Sequence, residues 1–500
     1  MRKIPTTMAT QHPDNAGKPY WSSKAFINTS EEIKECYLCF SELGIDEYNW
    51  DWEGKFVDEA VADRLMHEYH GYFKKNPIGR EKFLTFRIPN PRVEKQFRLA
   101  RAFMVIVTSS QLSKSLGFKY PPIFETILPL TETAQEIVEL QKAYRDLVSI
   151  EHRLLAMEDS LKHIEIIPLF EQVDRIINSS DLIRDYFKYY RKNFKCLPEY
   201  LRPYCARSDP ALNSGFVPTV LALKIALSSY IGLEKETGVK LYPMLGTGTL
   251  PFRGGVNPTN LEIALEEYAG ISTLTIQSAF RYDFSKTLVK KSIKKINKQL
   301  PKTRAVYIPA ELVDKIREII PDFEIPYRET VEKIAPLINN MSQSVARRRE
   351  RMLHVGLFGY SRGVGKVSLP RAIPFTASLY SLGVPPEFIG TGRGLNKAKK
   401  KGIFKDVNKL FIHLKENLIQ ACYFLNRENL SRLAKRFNYW NDIVEDISYI
   451  EKLFQIELGP NKLNHQEHLH ITGLIYERMQ KKKEITRLIT IGGNLRQSLG

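Results

Sequence analysis

The sequence predicts an α/β fold: a (β/α)8 TIM-type barrel with many additional helices and a helical C-terminal region. Three observations predict it. Between Ile164 and Asp283 one grammar repeats four times, a short β-rich apolar run, a polar or glycine-rich break, then a helical pattern. The runs recur at roughly 30 to 40 residues with helices between them, as in a parallel sheet closed by crossover helices. Polar residues stand at successive run ends, where the active rim of such a barrel would lie.

In chain order, the first segment is Thr6-Thr7-Met8-Ala9-Thr10-Gln11-His12-Pro13-Asp14-Asn15, where His-Pro followed by Asp-Asn makes a fixed turn able to present an imidazole from a strand end. Cys36 and Cys39 share one face of a helical pattern from Glu31 to Leu43 and read as core, since no second pair completes a redox or zinc set. Trp50 to Glu59 reads as a helix start with a capping acid and a buried tryptophan. Phe83 to Arg92 is a strand stopped by Pro89 and Pro91, with Arg87 and Arg92 five apart. Pro122 to Leu130 adds another strand, after which Thr131 and Glu132 cap a helix.

The four repeats come next. Ile164 to Phe170 ends on Glu171, before a helix from Gln172 to Tyr186. Arg202 to Ala206 leads to Asp209 and a long apolar helix from Val217 to Glu236. Lys240 to Leu245 opens into the glycine-rich Gly246 to Gly255, which offers backbone amides and Arg253 to an anion. Ser272 to Ile276 delivers Gln277 and Arg281. Two carboxylates on adjacent strand ends, Glu171 and Asp209, can hold a divalent cation, and oxygen-only ligands favour Mg2+ or Mn2+ over zinc. Neighbouring arginines point to a phosphate or carboxylate partner. The residues alone therefore describe a metal-assisted reaction on a small anion.

Composition bounds the rest. With 500 residues, 43% of them hydrophobic, the chain can build a sizeable core. No apolar run approaches the ~18 residues of a membrane span and the N-terminus lacks a signal stretch, so a cytoplasmic protein without membrane contact is expected. Five cysteines fit reduced thiols. The net charge of +18 permits nucleic-acid binding as a rival function, but the lysine runs lack interleaved aromatics, so no nucleic-acid partner is expected. Leu357 to Lys366 superficially resembles a phosphate loop, with the wrong spacing and Val367 after the lysine. From Asn396 onward the pattern is helical, and His465, His468 and His470 are read as helix residues rather than metal ligands. Residues 1–395 are expected to form the barrel with its insertions, and residues 396–500 a helical region packed on it.

Taken together, Pro168-Leu169-Phe170-Glu171-Gln172, Ser208-Asp209-Pro210-Ala211-Leu212-Asn213-Ser214-Gly215, Phe252-Arg253-Gly254-Gly255 and Thr275-Ile276-Gln277-Ser278 resemble, in order and spacing, the PLFET, SDSxKDAG, GRGG and TEQGE segments of phosphoenolpyruvate carboxylases. The likeness is to the short, archaeal type. Thr10 to Asn15 is similar to the family's TAHPTE segment, Arg87 to Arg92 to RQESTR, Leu369 to Phe375 to LRAIPW, and the final residues to a GMRNTG tail that folds back to the active site. The resemblance implies carboxylation of phosphoenolpyruvate by bicarbonate to oxaloacetate and phosphate, with bicarbonate attacking phosphorus to give carboxyphosphate and an enolate. It assigns catalysis to His12 and Arg253, substrate binding to Arg87, Arg371, Gln277 and Arg281, and Mg2+ or Mn2+ to Glu171 and Asp209, in a homotetramer. Lys55 is a candidate for a further family charge. Two departures touch the site, since a family lysine falls on Leu212 and a loop arginine on Thr247. Another metal-dependent barrel lyase or phosphotransferase acting on phosphoenolpyruvate or pyruvate is the rival among enzymes.

Overall fold

Eight parallel strands close a barrel in sequence order: β1 Thr7–Thr10, β2 Glu47–Asp51, β3 Phe83–Arg87, β4 Glu125–Leu128, β5 Glu165–Phe170, β6 Tyr204–Ala206, β7 Met244–Gly246 and β8 Thr273–Ile276, with β8 pairing back onto β1. The computed structural model describes residues 3–53, 59–149, 163–350, 362–364 and 367–500. Lys55 and most of Leu357 to Lys366 lie outside the described residues.

Inside the barrel, Met8, Ile127, Ile167, Leu169, Tyr204 and Met244 form one packed cluster. Below it, Arg202 reaches Glu47 at the start of β2 (Nη2 to Oε2, 2.6 Å), Glu125 at the start of β4 (2.7 Å) and the Thr273 hydroxyl at the start of β8 (3.1 Å). Tyr200 donates to the same Glu125 at 2.7 Å. A buried charged plug thus closes the N-terminal end and leaves the chemistry to the other.

Two predicted strands are shorter than their apolar runs because a proline interrupts each. Tyr200–Leu201 pairs with Lys240–Leu241 in a separate two-stranded sheet, and the barrel strands resume only after Pro203 and Pro243, which have no N–H to donate to the ladder. The Trp50 region departs further from its expected helix start. It belongs to β2, where Glu47, Asn49 and Asp51 alternate with Tyr48 and Trp50.

The helix Phe216–Thr237 is long and apolar enough to cross a membrane by length and composition, which corrects the expectation that no run approaches that length. Burial explains it: 78% of its most apolar window is inside the protein, where it packs against the helices Val173–Ile177, Ser179–Phe194 and Ala310–Ser342. Six helices between Phe404 and Leu495 build the C-terminal region, and helix Thr391–Lys400 runs across residue 395. Cys36 and Cys39 are buried on helix Thr29–Ser41, and the three histidines lie on helix Leu463–Gln480.

Candidate active site

Parallel strands place all their C-terminal ends at one mouth, so the residues just beyond each strand decide its chemistry. After β1 come Gln11 to Asn15; β3 ends on Arg87; β5 leads to Glu171, β6 to Ser208 and Asp209, β7 to the glycine loop, and β8 to Gln277.

Arg253 is the centre of this rim. It is 1% exposed, on a short turn of 3-10 helix, Pro251–Arg253, followed by Gly254 and Gly255, whose φ values of 120° and 68° lie in the region that favours glycine. Its Nε donates to the Ser208 hydroxyl at 3.2 Å, its Nη1 lies 3.4 Å from Asp14 Oδ2 and also meets the Gly500 oxygen, and its Nη2 donates to Gln277 Oε1. One guanidinium therefore ties together the ends of β1, β6 and β8 and the tail. Burial works against its charge, with Asp14 and then Asp209 opposing that effect. The preceding peptide is held from both sides: Phe252 N–H donates to Glu387 at 2.7 Å and Phe252 C=O accepts from Arg207 at 3.1 Å. Burial pushes Glu387 up to about 7.

Gly248 leaves the room Arg253 needs. A Cβ there would lie 2.9 Å from Arg253 Cζ and 3.0 Å from its Cβ. Gly248→Ala is expected to lower kcat by about 10²-fold through misplacement of the guanidinium. Steady-state kinetics beside a melting curve check this, the melting curve staying near wild type.

Arg87 is buried and pairs with Asp51 and Glu53, both at 2.8 Å. Burial opposes its charge, but Glu53, Glu171, Tyr204 and Asp209 raise its pKa above the arginine norm. Burial raises the Tyr204 pKa, and two of these neighbours, Glu171 and Asp209, act on it together with Arg87, so these groups share one low-dielectric mouth. Glu171 is buried, and its Oε2 accepts the Leu130 N–H at 2.9 Å; Asp209 lies in the first turn of helix Ser208–Ser214. Among the described residues no group of three or more His, Cys, Asp or Glu could hold a metal. A pair of carboxylates still fits Mg2+, which commonly takes one or two and completes its shell with water and substrate oxygens.

His12 is half-buried, and its carbonyl is within hydrogen-bond reach of Ser278 Oγ, which also accepts the amides of Asp14 (3.0 Å) and Asn15 (3.2 Å). The histidine turn and the β8 exit are thereby locked to each other. The tail docks here too: Leu499 N–H donates to Asp14 C=O at 2.8 Å, and Arg496 donates to Leu499 C=O at 2.6 Å.

A family model described as phosphoenolpyruvate carboxylase matches residues 4–500. The chain belongs to the phosphoenolpyruvate carboxylase family. It is of the archaeal type. The phosphoenolpyruvate carboxylase of Metallosphaera sedula is 37% identical, with both chains covered completely. Those of Leuconostoc mesenteroides (36%, 100% of this chain and 99% of that one) and Pyrococcus horikoshii (40%, 87% and 91%) are similarly close.

Against this phosphoenolpyruvate carboxylase background, the two departures have physical explanations. Leu212 is fully buried and its carbonyl accepts from Tyr327 at 2.8 Å, so the place of the family lysine is part of the core. Thr247 joins β7 to β8 through Thr275, its N–H donating to that hydroxyl at 2.7 Å. Arg281 stands apart from the cluster. Its guanidinium turns back to the carbonyls of Ile276 (2.9 Å) and Thr10 (3.0 Å) and to Glu35 (3.1 Å), which also binds Arg349. Arg371 is exposed at the N-cap of helix Ala372–Leu382; Ile373, two residues on, packs its carbonyl against Gly500, where a Cβ would lie only 2.2 Å away. Asp14, Ser208 and the Gly500 oxygen were not singled out from sequence. Each nevertheless left a signal: Asp14 as the acid of the His-Pro-Asp turn, Ser208 in the segment that carries Asp209, and Gly500 in the tail expected to fold back to the active site.

Proposed function

We propose that this chain carboxylates phosphoenolpyruvate with bicarbonate, forming oxaloacetate and phosphate. The observation that carries the reading is Arg253, a guanidinium buried among Asp14, Gln277, Ser208 and the tail, on the rim that also presents His12, Arg87, Glu171 and Asp209. Membership of the family and full-length similarity to enzymes of that name support it.

Glu171 and Asp209 would hold Mg2+ or Mn2+. The metal, when bound, would supply Lewis-acid stabilisation of charge on the phosphate and enolate oxygens. Arg87 and Arg371 would orient the phosphate and carboxylate groups, and Gln277 would fix Arg253 against the substrate. Once bicarbonate has taken the phosphoryl group, the enolate must meet CO2 rather than water. His12 and Arg253, in a mouth covered by the docked tail, would hold the carboxylating species and exclude solvent protons. The basic net charge of +18 favours encounter with an anionic substrate pair.

The test is oxaloacetate formation from phosphoenolpyruvate with Mg2+, with and without bicarbonate, coupled to NADH oxidation by malate dehydrogenase. Bicarbonate-dependent oxaloacetate is expected. Asp209→Asn and Glu171→Gln should each lower kcat by about 10²- to 10³-fold, the scale on which a group stabilising transition-state charge acts. Phosphate release without oxaloacetate would favour the rival lyase or phosphotransferase.

A further inference from the structure

Glu387 is the only acid between Arg351 and Lys405 in the sequence, and it has no exposed surface. It lies on a short 3-10 turn, Pro386–Phe388, that follows helix Ala372–Leu382. Its Oε1 accepts two donors: the Phe252 N–H at 2.7 Å, from 135 residues away, and the hydroxyl of Tyr380, on that helix, at 2.6 Å. Phe252 is the residue before Arg253, and its ring stacks on Phe375 at 5.9 Å and on Tyr327 at 6.5 Å between centroids. The glycine loop is closed on itself: Gly248 N–H donates to Arg253 C=O at 2.7 Å, and the Arg253 and Gly255 N–H groups both donate to Leu250 C=O at 2.9 Å. Such a loop keeps its shape however it is seated. Its seat is set by bonds to other elements, and Glu387 ties it to the helix that follows Arg371.

We propose that Glu387 is a positioning residue for carboxylation, a one-oxygen acceptor that sets where the Arg253 guanidinium stands by holding the Phe252 N–H against the Tyr380 helix. This rests on the reading of Arg253 as the residue that serves the carboxylating species. The Phe252 N–H stands in the first turn of a 3-10 helix, so it has no partner inside the turn and, being buried, must find one outside. An apolar residue at 387 would leave this N–H and the Tyr380 hydroxyl without their acceptor, a cost the turn relieves by shifting. Arg207, which donates to Phe252 C=O, would then hold the turn from one side only. A displacement of about 1 Å at the base of the Arg253 side chain is enough to cost on the order of 10²-fold at a reacting centre. Because both donors converge on Oε1, the second oxygen is not needed for the hold, and a neutral side chain of the same shape should serve. Burial, which raises Glu387 to about 7 and so favours its neutral form, agrees with this.

The test compares Glu387→Met and Glu387→Gln with wild type in the full-length protein. It reads oxaloacetate and phosphate per turnover with Mg2+ and bicarbonate, KM for phosphoenolpyruvate, and the rate at which phenylglyoxal labels Arg253, located by mass spectrometry. Glu387→Met should lower the ratio of oxaloacetate to phosphate, reduce oxaloacetate formation by about 10²-fold, leave KM near wild type and speed the labelling of Arg253. Glu387→Gln, which keeps the acceptor, should restore the ratio and the slow labelling. A lower melting temperature with an unchanged ratio in Glu387→Met overturns the proposal, since that is what a purely structural acid would give. Glu387→Gln behaving like Glu387→Met overturns it as well. If Glu387→Met does not fold, Glu387→Asp decides: it keeps the carboxyl but reaches one methylene less far, and a wild-type ratio there overturns the proposal. Should the wild type form no bicarbonate-dependent oxaloacetate, the proposed reaction fails and the labelling judges this inference: faster in Glu387→Met alone supports it, and equal rates in all three proteins overturn it.

Discussion

Arg253→Gln is expected to lower oxaloacetate formation by about 10³-fold, while part of the phosphoenolpyruvate is still turned over to pyruvate and phosphate. The two halves of the reaction need different things from this rim. Attack on phosphorus needs the phosphate held and its charge balanced, work assigned to Arg87, Arg371 and the carboxylate pair. Carboxylation needs CO2 and the enolate kept together and dry. Arg253 joins Ser208, Asp14, Gln277 and Gly500, and in the proposed reaction it would both reach the carboxylating species and close the mouth around it. Glutamine is neutral and too short to span these partners, and the mouth should open to water. An enolate exposed to water is protonated to pyruvate. The measurement is the ratio of oxaloacetate to phosphate per turnover, and an unchanged ratio would remove Arg253 from the carboxylation step.

The barrel was legible because its strands obey local rules. Ile164 to Phe170 predicts β5 almost to the residue, and the residue after it, Glu171, lies where a rim acid should. β2 was missed because its alternation is inverted. Glu47 and Asp51 bond to barrel arginines, Arg202 at the base and Arg87 at the rim, while Tyr48 and Trp50 pack with other apolar groups, so the strand resembles a capped helix start. An acid on an inward position makes sense only beside an arginine of another strand or its approach, 36 residues away for Asp51 and 155 for Glu47. Arg281 shows the converse limit. Its spacing from the strand end fitted a rim residue, but its direction is set by Glu35, 246 residues earlier. The site acids were visible as residue types at strand ends; which guanidinium each would meet depends on barrel closure, which no local pattern encodes.

The base of the barrel should prove as sensitive for stability as Arg253 is for activity. Arg202 has no exposed side-chain surface, nor does Glu47, and Glu125 has only 3%. Burial disfavours the charge on Arg202, and Glu47 together with Glu125 more than offsets this. Such a cluster is not strongly stabilising relative to an apolar one, because three charges were taken out of water to build it. Breaking it is different. Arg202→Met removes the guanidinium that the two carboxylates share, and the expected loss is about 3 to 5 kcal/mol, seen as a lower urea midpoint. The triple change Arg202→Met, Glu47→Gln, Glu125→Gln removes every charge and should recover much of that loss, since the two amides can still pair with Thr85 and Tyr200. A triple variant as unstable as the single one would mean that shape rather than charge holds the plug together. Full stability in Arg202→Met itself would mean that water reaches Glu47 and Glu125, and that the N-terminal end of the barrel is open.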